Sequence, residues 1–231
     1  MNNHLGVRVC GEYACFSRPE FKVERVSYPI ITPGAARGML EAIFWKPEFH
    51  WQVRSIWVLK KIQQTSFLRN EIEDRQSKQP IVVEDKRQQR ASLVLKDVEY
   101  VIWADVVLKP HANADPAKYR DQFRRRVERG QCHHTPYLGT REFTATFHPI
   151  RGQEVPQPID MNFGMMLFDI AFFQDTSEIE LQFRQHGAKG SQVVKGCTKA
   201  LFFQAELRNG VMNVPANLYR KLYQREDSYV E

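Results

Sequence analysis

Cysteine is scarce and unpatterned in this chain: Cys10, Cys15, Cys132 and Cys197 lie far apart without a C-x-x-C pair. That spacing fits reduced thiols in packing roles better than a zinc ribbon or a disulfide framework. Long apolar runs are missing too. MMLFDIAFF from Met165 and VIWADVVL from Val101 are each broken by an aspartate, and both fall well short of the ~20 residues a membrane helix requires. No membrane partner is expected. The opening stretch MNNHLGVRVCGEYACF has no cationic start followed by an apolar core and a cleavage site; no export signal is read, and a cytoplasmic protein is expected. Internal repeats and low-complexity tracts are absent. So are G-x-S-x-G, G-x-G-x-x-G and any Ser-His-Asp order, which removes the common hydrolase and dinucleotide signatures, and no cofactor is expected. His133 and His134 are adjacent, a spacing that rarely points two side chains at one metal, and no metal site is expected.

Present instead are aromatic residues and positive charge. Hydrophobic residues make up 42% of the 231 positions and aromatic ones 12%, enough for one large core or two small ones. The net charge of +6 favours an acidic partner such as RNA, DNA or an anionic surface.

Positive charge concentrates in DPAKYRDQFRRRVERGQCHHTPYLGTREF, from Asp115 to Phe143. Asp115 suits an N-cap, Pro116 the first helical position, and Gly130 the left-handed residue that ends a helix. Tyr119, Phe123 and Val127 recur at i, i+4 and i+8 as an apolar stripe, while Lys118, Arg125 and Arg129 share another face. Such a face is either a solvated surface or a phosphate site. The phosphate reading rests on Lys118: a lysine in the first turn opposes the positive end of the helix dipole unless an anion meets it there. Arg120, Arg124, Arg125 and Arg129 would then follow a nucleic-acid backbone, with Lys46 as a further contact.

Along the chain, Leu5 to Phe16 alternates as a first strand, with Gly11 as a candidate bulge. Thr32 caps a helix beginning at Pro33, with Ala35, Met39, Ala42 and Ile43 facing inward, and Pro47 stops it. A long strand is expected from Trp51 to Phe67, a hairpin tip from Arg69 to Arg90, and a third strand from Ala91 to Leu108. The basic helix follows, then a fourth strand from Tyr137 to Phe147. The order βαββαβ predicts an α+β protein whose first domain, residues 1–148, is ferredoxin-like, as in RNA-recognition modules. After the connector RGQEVPQP, residues 149–231 read as a small antiparallel β-sheet domain packed on the first, with a helix from Pro215 to Arg225. Within it, HGAKGSQVVKGC sets glycines around Lys189 and Lys195, a pattern open to two readings: a plain hairpin turn or a loop that wraps phosphate.

Cutting RNA without a metal takes a base for the 2′-OH proton, a cation for the phosphorane charge and an acid for the leaving 5′-oxygen. Lys118, Tyr119, His133 and His134 lie in and just after the basic helix and include such groups. His134 is equally well a loop histidine bonded to backbone, and Tyr119 on the apolar stripe reads first as core with its hydroxyl at the rim.

Four stretches together resemble a family: GEYACF from Gly11, AIFWKPEF from Ala42, AKYRDQFRRRVERGQ from Ala117 and PYLGTREF from Pro136. They are similar to the CRISPR-associated repeat-processing proteins of type I-C (Dvulg) systems, the subtype d branch of the fifth Cas family. The resemblance implies a ferredoxin-like domain followed by a small antiparallel sheet. It also implies a metal-independent endoribonuclease that cuts precursor CRISPR RNA beside the repeat hairpin. The mature CRISPR RNA, the other subunits of the interference complex and double-stranded DNA are the partners it suggests. This chain departs from the family pattern twice. Phe44 stands where the family has a tyrosine, and Tyr119 follows Lys118 where the family has a histidine. Phe44 cannot move a proton, and a tyrosine with an ordinary pKa near ~10 is a poor base at neutral pH. Catalysis then leans on Lys118 with a substitute such as His134. The alternative is a subunit that binds guide RNA or duplex DNA without cutting.

Overall fold

The computed structural model describes residues 4–21, 23–72, 80–174, 180–187 and 190–227. The first strand, β1 (Leu5–Ala14), turns Leu5, Val7 and Val9 inward, and a two-residue strand β2 (Arg25–Val26) follows. Helix α1 (Pro33–Ile43) begins where Thr32 accepts a hydrogen bond from the Ala35 N–H. Its buried face is Pro33, Ala36, Met39, Leu40 and Ile43, so the inward stripe is rotated from the expected one: Ala35 and Ala42 are only half-buried. Gly34 lets the helix approach strand β7 (Met161–Gln174), since a Cβ there would meet the Phe168 carbonyl and the Asp169 carboxylate, each at 3.0 Å.

The expected long strand is two strands in line, β3 (Phe49–Val58) and β4 (Gln64–Ile72). Both run beside β5 (Arg87–Leu108), with Val58 opposite Tyr100 and Gln64 opposite Leu95. Between these pairs Asp97 adopts a left-handed conformation (φ 52°) and holds Lys60 at 2.7 Å, which interrupts the ladder. The rest of the Arg69–Arg90 stretch, apart from residues outside the described set, includes a short 3-10 turn at Val83–Asp85. Helix α2 (Pro116–Glu128) has the expected Asp115 cap, with Gly130 at φ 63° beyond its end.

The fourth strand is much shorter than expected: β6 (Thr146–His148) holds three residues. Most of Tyr137–Phe147 instead folds back on itself, with the Leu138 N–H donating to Phe143 and the Phe143 N–H to Thr140. Leu138 plugs into the core, and the Cys15 N–H donates to its carbonyl. Gly139 (φ 88°) packs so tightly on the Cys15 carbonyl that a side chain has no room. Gly11 forms no bulge either. The β1–β5 register is continuous through it, and a Cβ there would collide with Leu138.

Along its main path the first sheet has the order β3–β5–β1–β6, each pair antiparallel, the second-third-first-fourth order of a ferredoxin-like unit, while the short β2 pairs with β5 in parallel. β8 (Leu181–Gly187) and β9 (Gly190–Leu207) join β7 in a second antiparallel sheet of order β7–β9–β8. The chain then returns: β10 (Val211–Asn213) adds to the outer edge of β3, and α3 (Asn217–Asp227) follows. Beyond β10, the β3 edge is covered by α3. The Val53 N–H donates to the Tyr219 hydroxyl at 2.8 Å, and the Tyr223 hydroxyl donates to the Trp51 carbonyl at 3.1 Å. An open strand edge is thereby satisfied by side chains. One apolar cluster joins both parts, from Val7 and Ile43 to Met166, Phe168 and Tyr219. A polar tie crosses it as well: Arg37 of α1 forks onto Asp169 of β7 at 2.7 and 3.0 Å and holds Glu41 at 2.6 Å. No helix among the described residues is long and apolar enough to cross a membrane.

Candidate active site

Helix α2 rests its stripe of Tyr119, Phe123 and Val127 on the first sheet, as its spacing requires. The receiving surface is aromatic. Phe49 at the start of β3 lies 5.3 Å from the Tyr119 ring and 5.5 Å from the Phe44 ring, while Trp51 meets Phe123 at 4.8 Å. Phe44 caps α1 in extended conformation and is 1% exposed, with its carbonyl accepting from the Trp51 indole N–H at 2.8 Å. The two positions that depart from the family pattern thus pack on the same ring. Burial raises the Tyr119 hydroxyl above its ordinary pKa, and the charge of Glu48 raises it further. A phenol held neutral in this way is no base at pH 7.

Lys118 is exposed beside this cluster, at the positive end of α2. Among the described residues neither it nor Arg120, Arg125 or Arg129 forms an ion pair, whereas Arg124 pairs with Asp121 at 3.1 Å. Glu48 sits on the same side. One of its carboxylate oxygens is buried without a hydrogen-bond partner, and its carbonyl accepts from the Lys109 N–H at 2.9 Å. Lys46 is exposed on the turn between α1 and β3.

His134 lies at the other end of the helix. The N–H groups of His133 and His134 donate to the Ala42 carbonyl at 2.7 and 3.1 Å, so the loop after α2 is fastened to the last turn of α1. Arg126 reinforces this junction by donating to the Ile43 carbonyl at 3.1 Å and lying 5.4 Å over the Phe44 ring. Roughly 12 Å of helix axis separates Lys118 from Arg126. The structure therefore brings Tyr119 together with Glu48 and Phe49, with Lys118 one position before it at the start of α2, while the loop that carries His134 docks at the far end of the helix. Lys195 is exposed on β9 opposite Gln182, in a regular hairpin where Gly187 pairs with Gly190. Lys189 lies outside the described residues.

A groove that sequence reasoning missed opens between the two sheets, with a volume of about 680 Å³. Its walls include Phe49 and His50 of β3, Lys109 and His111 after β5, and Arg184 and His186 of β8. Trp45 stands at its rim, 38% exposed, and meets the His186 ring edge-on at 5.1 Å. His50 stacks on Tyr223 at 3.8 Å. Burial, helped by the charges of Lys109, Arg37 and His111, pushes His50 down to about 3. His186 is lowered by burial, then by Lys109 and Arg184. The one signal available beforehand was the strand FHWQVR, where His50 occupies the outward phase between two buried aromatics. His111 and His186 carried none, because only the fold sets them against His50. No group of three His, Cys, Asp or Glu side chains suited to a metal ion gathers among the described residues.

Comparison with known proteins places this geometry in a family. Residues 4–215 match the family model described as CRISPR-associated protein (Cas_Cas5), for the Cas5d branch. A protein of Thermus thermophilus named CRISPR pre-crRNA endoribonuclease Cas5d is 54% identical over 227 residues, covering 98% of each chain. One of the same name from Mannheimia succiniciproducens is 40% identical over 239 aligned positions, covering 93% of this chain and 96% of the relative. Two solved structures share the fold. A functionally uncharacterized protein of Streptococcus mutans superposes with a TM-score of 0.63 at 17% identity over 93% of both chains. A structure described as a CRISPR-associated protein does so with a TM-score of 0.62 at 22% identity over 92% of both. The chain belongs to the Cas5d family of CRISPR-associated proteins.

Proposed function

We propose that the chain is an endoribonuclease that cuts precursor CRISPR RNA beside its repeat hairpin by 2′-OH attack. Two relatives bearing the name of that activity support the reading. The structural observation that carries it is Lys118, an exposed cation at the positive end of α2 that forms no ion pair among the described residues. A scissile phosphate placed there meets both the ammonium and the helix start. As the 2′-oxygen bonds to phosphorus and the P–O5′ bond breaks, the added negative charge on the phosphorane falls on Lys118. The Glu48 carboxylate, whose charge acts on Tyr119 at the start of α2, takes the 2′-OH proton in the role the family's histidine would fill. The departing 5′-oxygen is protonated from water, leaving a 2′,3′-cyclic phosphate and a 5′-hydroxyl. No step in this scheme uses a metal ion.

The test is single-turnover cleavage of a hairpin repeat RNA in excess chelator. The expected result is a cyclic-phosphate end, no cutting when the scissile ribose is 2′-deoxy, and slower cutting by Glu48→Gln with binding unchanged. Magnesium-dependent cutting of the deoxy substrate would refute the mechanism. After cutting, the protein stays on the guide RNA within a type I-C interference complex in the cytoplasm.

A second reading draws on the burial of Phe44 and Tyr119 in one aromatic cluster, where neither can move a proton. It makes the chain a binding subunit that grips guide RNA or double-stranded DNA without cutting. Full-length repeat RNA surviving the same assay, while still bound, would favour it. Duplex DNA displacing that RNA would add the DNA partner.

A further inference from the structure

We infer that the groove between the two sheets is a single-nucleotide pocket for the RNA substrate. In it Trp45 stacks on the base, Lys109 and Arg184 hold the phosphate, and the nucleotide bound is a close neighbour of the scissile one. Its volume of about 680 Å³ lies within the ordinary range for a small-ligand pocket. The lining combines three kinds of group that nucleotides use together. The Trp45 indole is left partly open at the rim, within reach of a stacking base. Two cations of the lining, Lys109 and Arg184, make no ion pair among the described residues. The imidazoles of His50 and His186 come from opposite walls, and Lys109 acts electrostatically on both. Uncharged at neutral pH, the His186 ring beside Trp45 offers one donor and one acceptor to a base edge. The acidic group at the rim, Glu41, is already held by Arg37, so it does not repel a phosphate as a free carboxylate would.

A single-stranded nucleotide fits this combination better than a duplex, because an A-form helix buries its base faces, whereas an unpaired base can enter a pocket and stack. The position relative to the cut follows from shared walls. Phe49 lines the groove and also touches Tyr119, and the Lys109 N–H is bonded to Glu48. The pocket thus abuts the start of α2, and placing its nucleotide next to the cut rests on the assignment of Lys118 to the scissile phosphate.

The experiment uses the full chain and a hairpin repeat RNA made uncleavable by a 2′-deoxy at its scissile nucleotide. A series of abasic substitutions walks through the unpaired nucleotides around that point, and affinity is measured for wild type, Trp45→Ala and Lys109→Gln. In wild type, one abasic position within two nucleotides of the cut is expected to weaken binding about 10-fold, a typical loss for one base–aromatic stack. In Trp45→Ala the same abasic change should cost nothing further, while Lys109→Gln should keep the abasic penalty and bind more weakly throughout. Equal abasic penalties in wild type and Trp45→Ala at every position overturn the pocket. Coupling at a distant nucleotide overturns its placement beside the cut. Cleavage by Lys118→Ala keeps the two ideas apart. Full-rate cutting with coupling intact sinks the Lys118 assignment and leaves the pocket; slow cutting without coupling does the reverse.

Discussion

The two ends of helix α2 carry the same kind of residue and use it differently. At its start Lys118 is exposed and free of ion pairs among the described residues, one position before Tyr119, on which the charge of Glu48 acts. At its end Arg126 spends its charge on the Ile43 carbonyl and the Phe44 ring, and the backbone of His133 and His134 is tied to Ala42. A cation whose donors are already satisfied by the protein holds the fold together. One left unsatisfied at the positive end of a helix is available to a ligand. The contrast is between a junction and a site, and it can be broken from either end.

The largest expected effect is at the site. Lys118→Ala should slow single-turnover cleavage by about 100-fold or more, on the scale of losing one charge-stabilising donor, while repeat RNA affinity changes little. Equal losses in rate and affinity would make Lys118 a binding residue only. At the junction, Arg126→Ala should leave the folded protein's cleavage rate intact and lower stability by about 2 kcal/mol. That combines a charged hydrogen bond to a carbonyl with a cation–π contact. Denaturant melts read this directly, and a rate loss without a stability loss would erase the distinction between the ends.

A smaller effect concerns acid. His50 titrates near 6.5 when unfolded and at about 3 when folded. The unfolded chain therefore binds the extra proton between those values. The stability His50 contributes is fully present above about pH 6.5 and is lost as pH falls toward 3. His50→Gln should flatten the acid limb of a stability-against-pH curve between pH 6 and 4. An unchanged limb would mean that other groups carry it.

How much of this was legible in the sequence depended on the range of the cause. Both ends of α2 and the buried stripe Tyr119, Phe123 and Val127 follow from local caps and a 3.6-residue period, and the structure matches them. The expected strand from Tyr137 to Phe147 failed because its apolar residues answer to distant partners: Leu138 fills space beside Gly11, and Gly139 lies on Cys15. Periodicity cannot distinguish a strand from a loop that plugs a core. The same limit hid the groove, whose imidazoles come from β3, the segment after β5, and β8. It also governed the catalytic candidates. Lys118 was legible because a lysine in a first turn is a local anomaly, whereas the separation of His134 from it depends on where the exit loop docks.

The smallest effect belongs to His134, and its smallness is what sharpens the comparison. The contact that fastens its loop is made by the backbone N–H, which survives any side-chain change other than proline. Its ring is exposed and touches that of His133 at 4.1 Å, so truncation removes little buried surface. His134→Ala should therefore keep cleavage within about 3-fold of wild type and stability within about 0.5 kcal/mol, as surface substitutions generally do. His133 and His134 border a second hollow that shares Trp45 and Glu41 with the groove. If His134→Ala lowered the cleavage rate more than 10-fold at unchanged affinity, the exit loop would be part of the reacting centre. The separation drawn between the two ends of α2 would then fail at the very residue it sets aside.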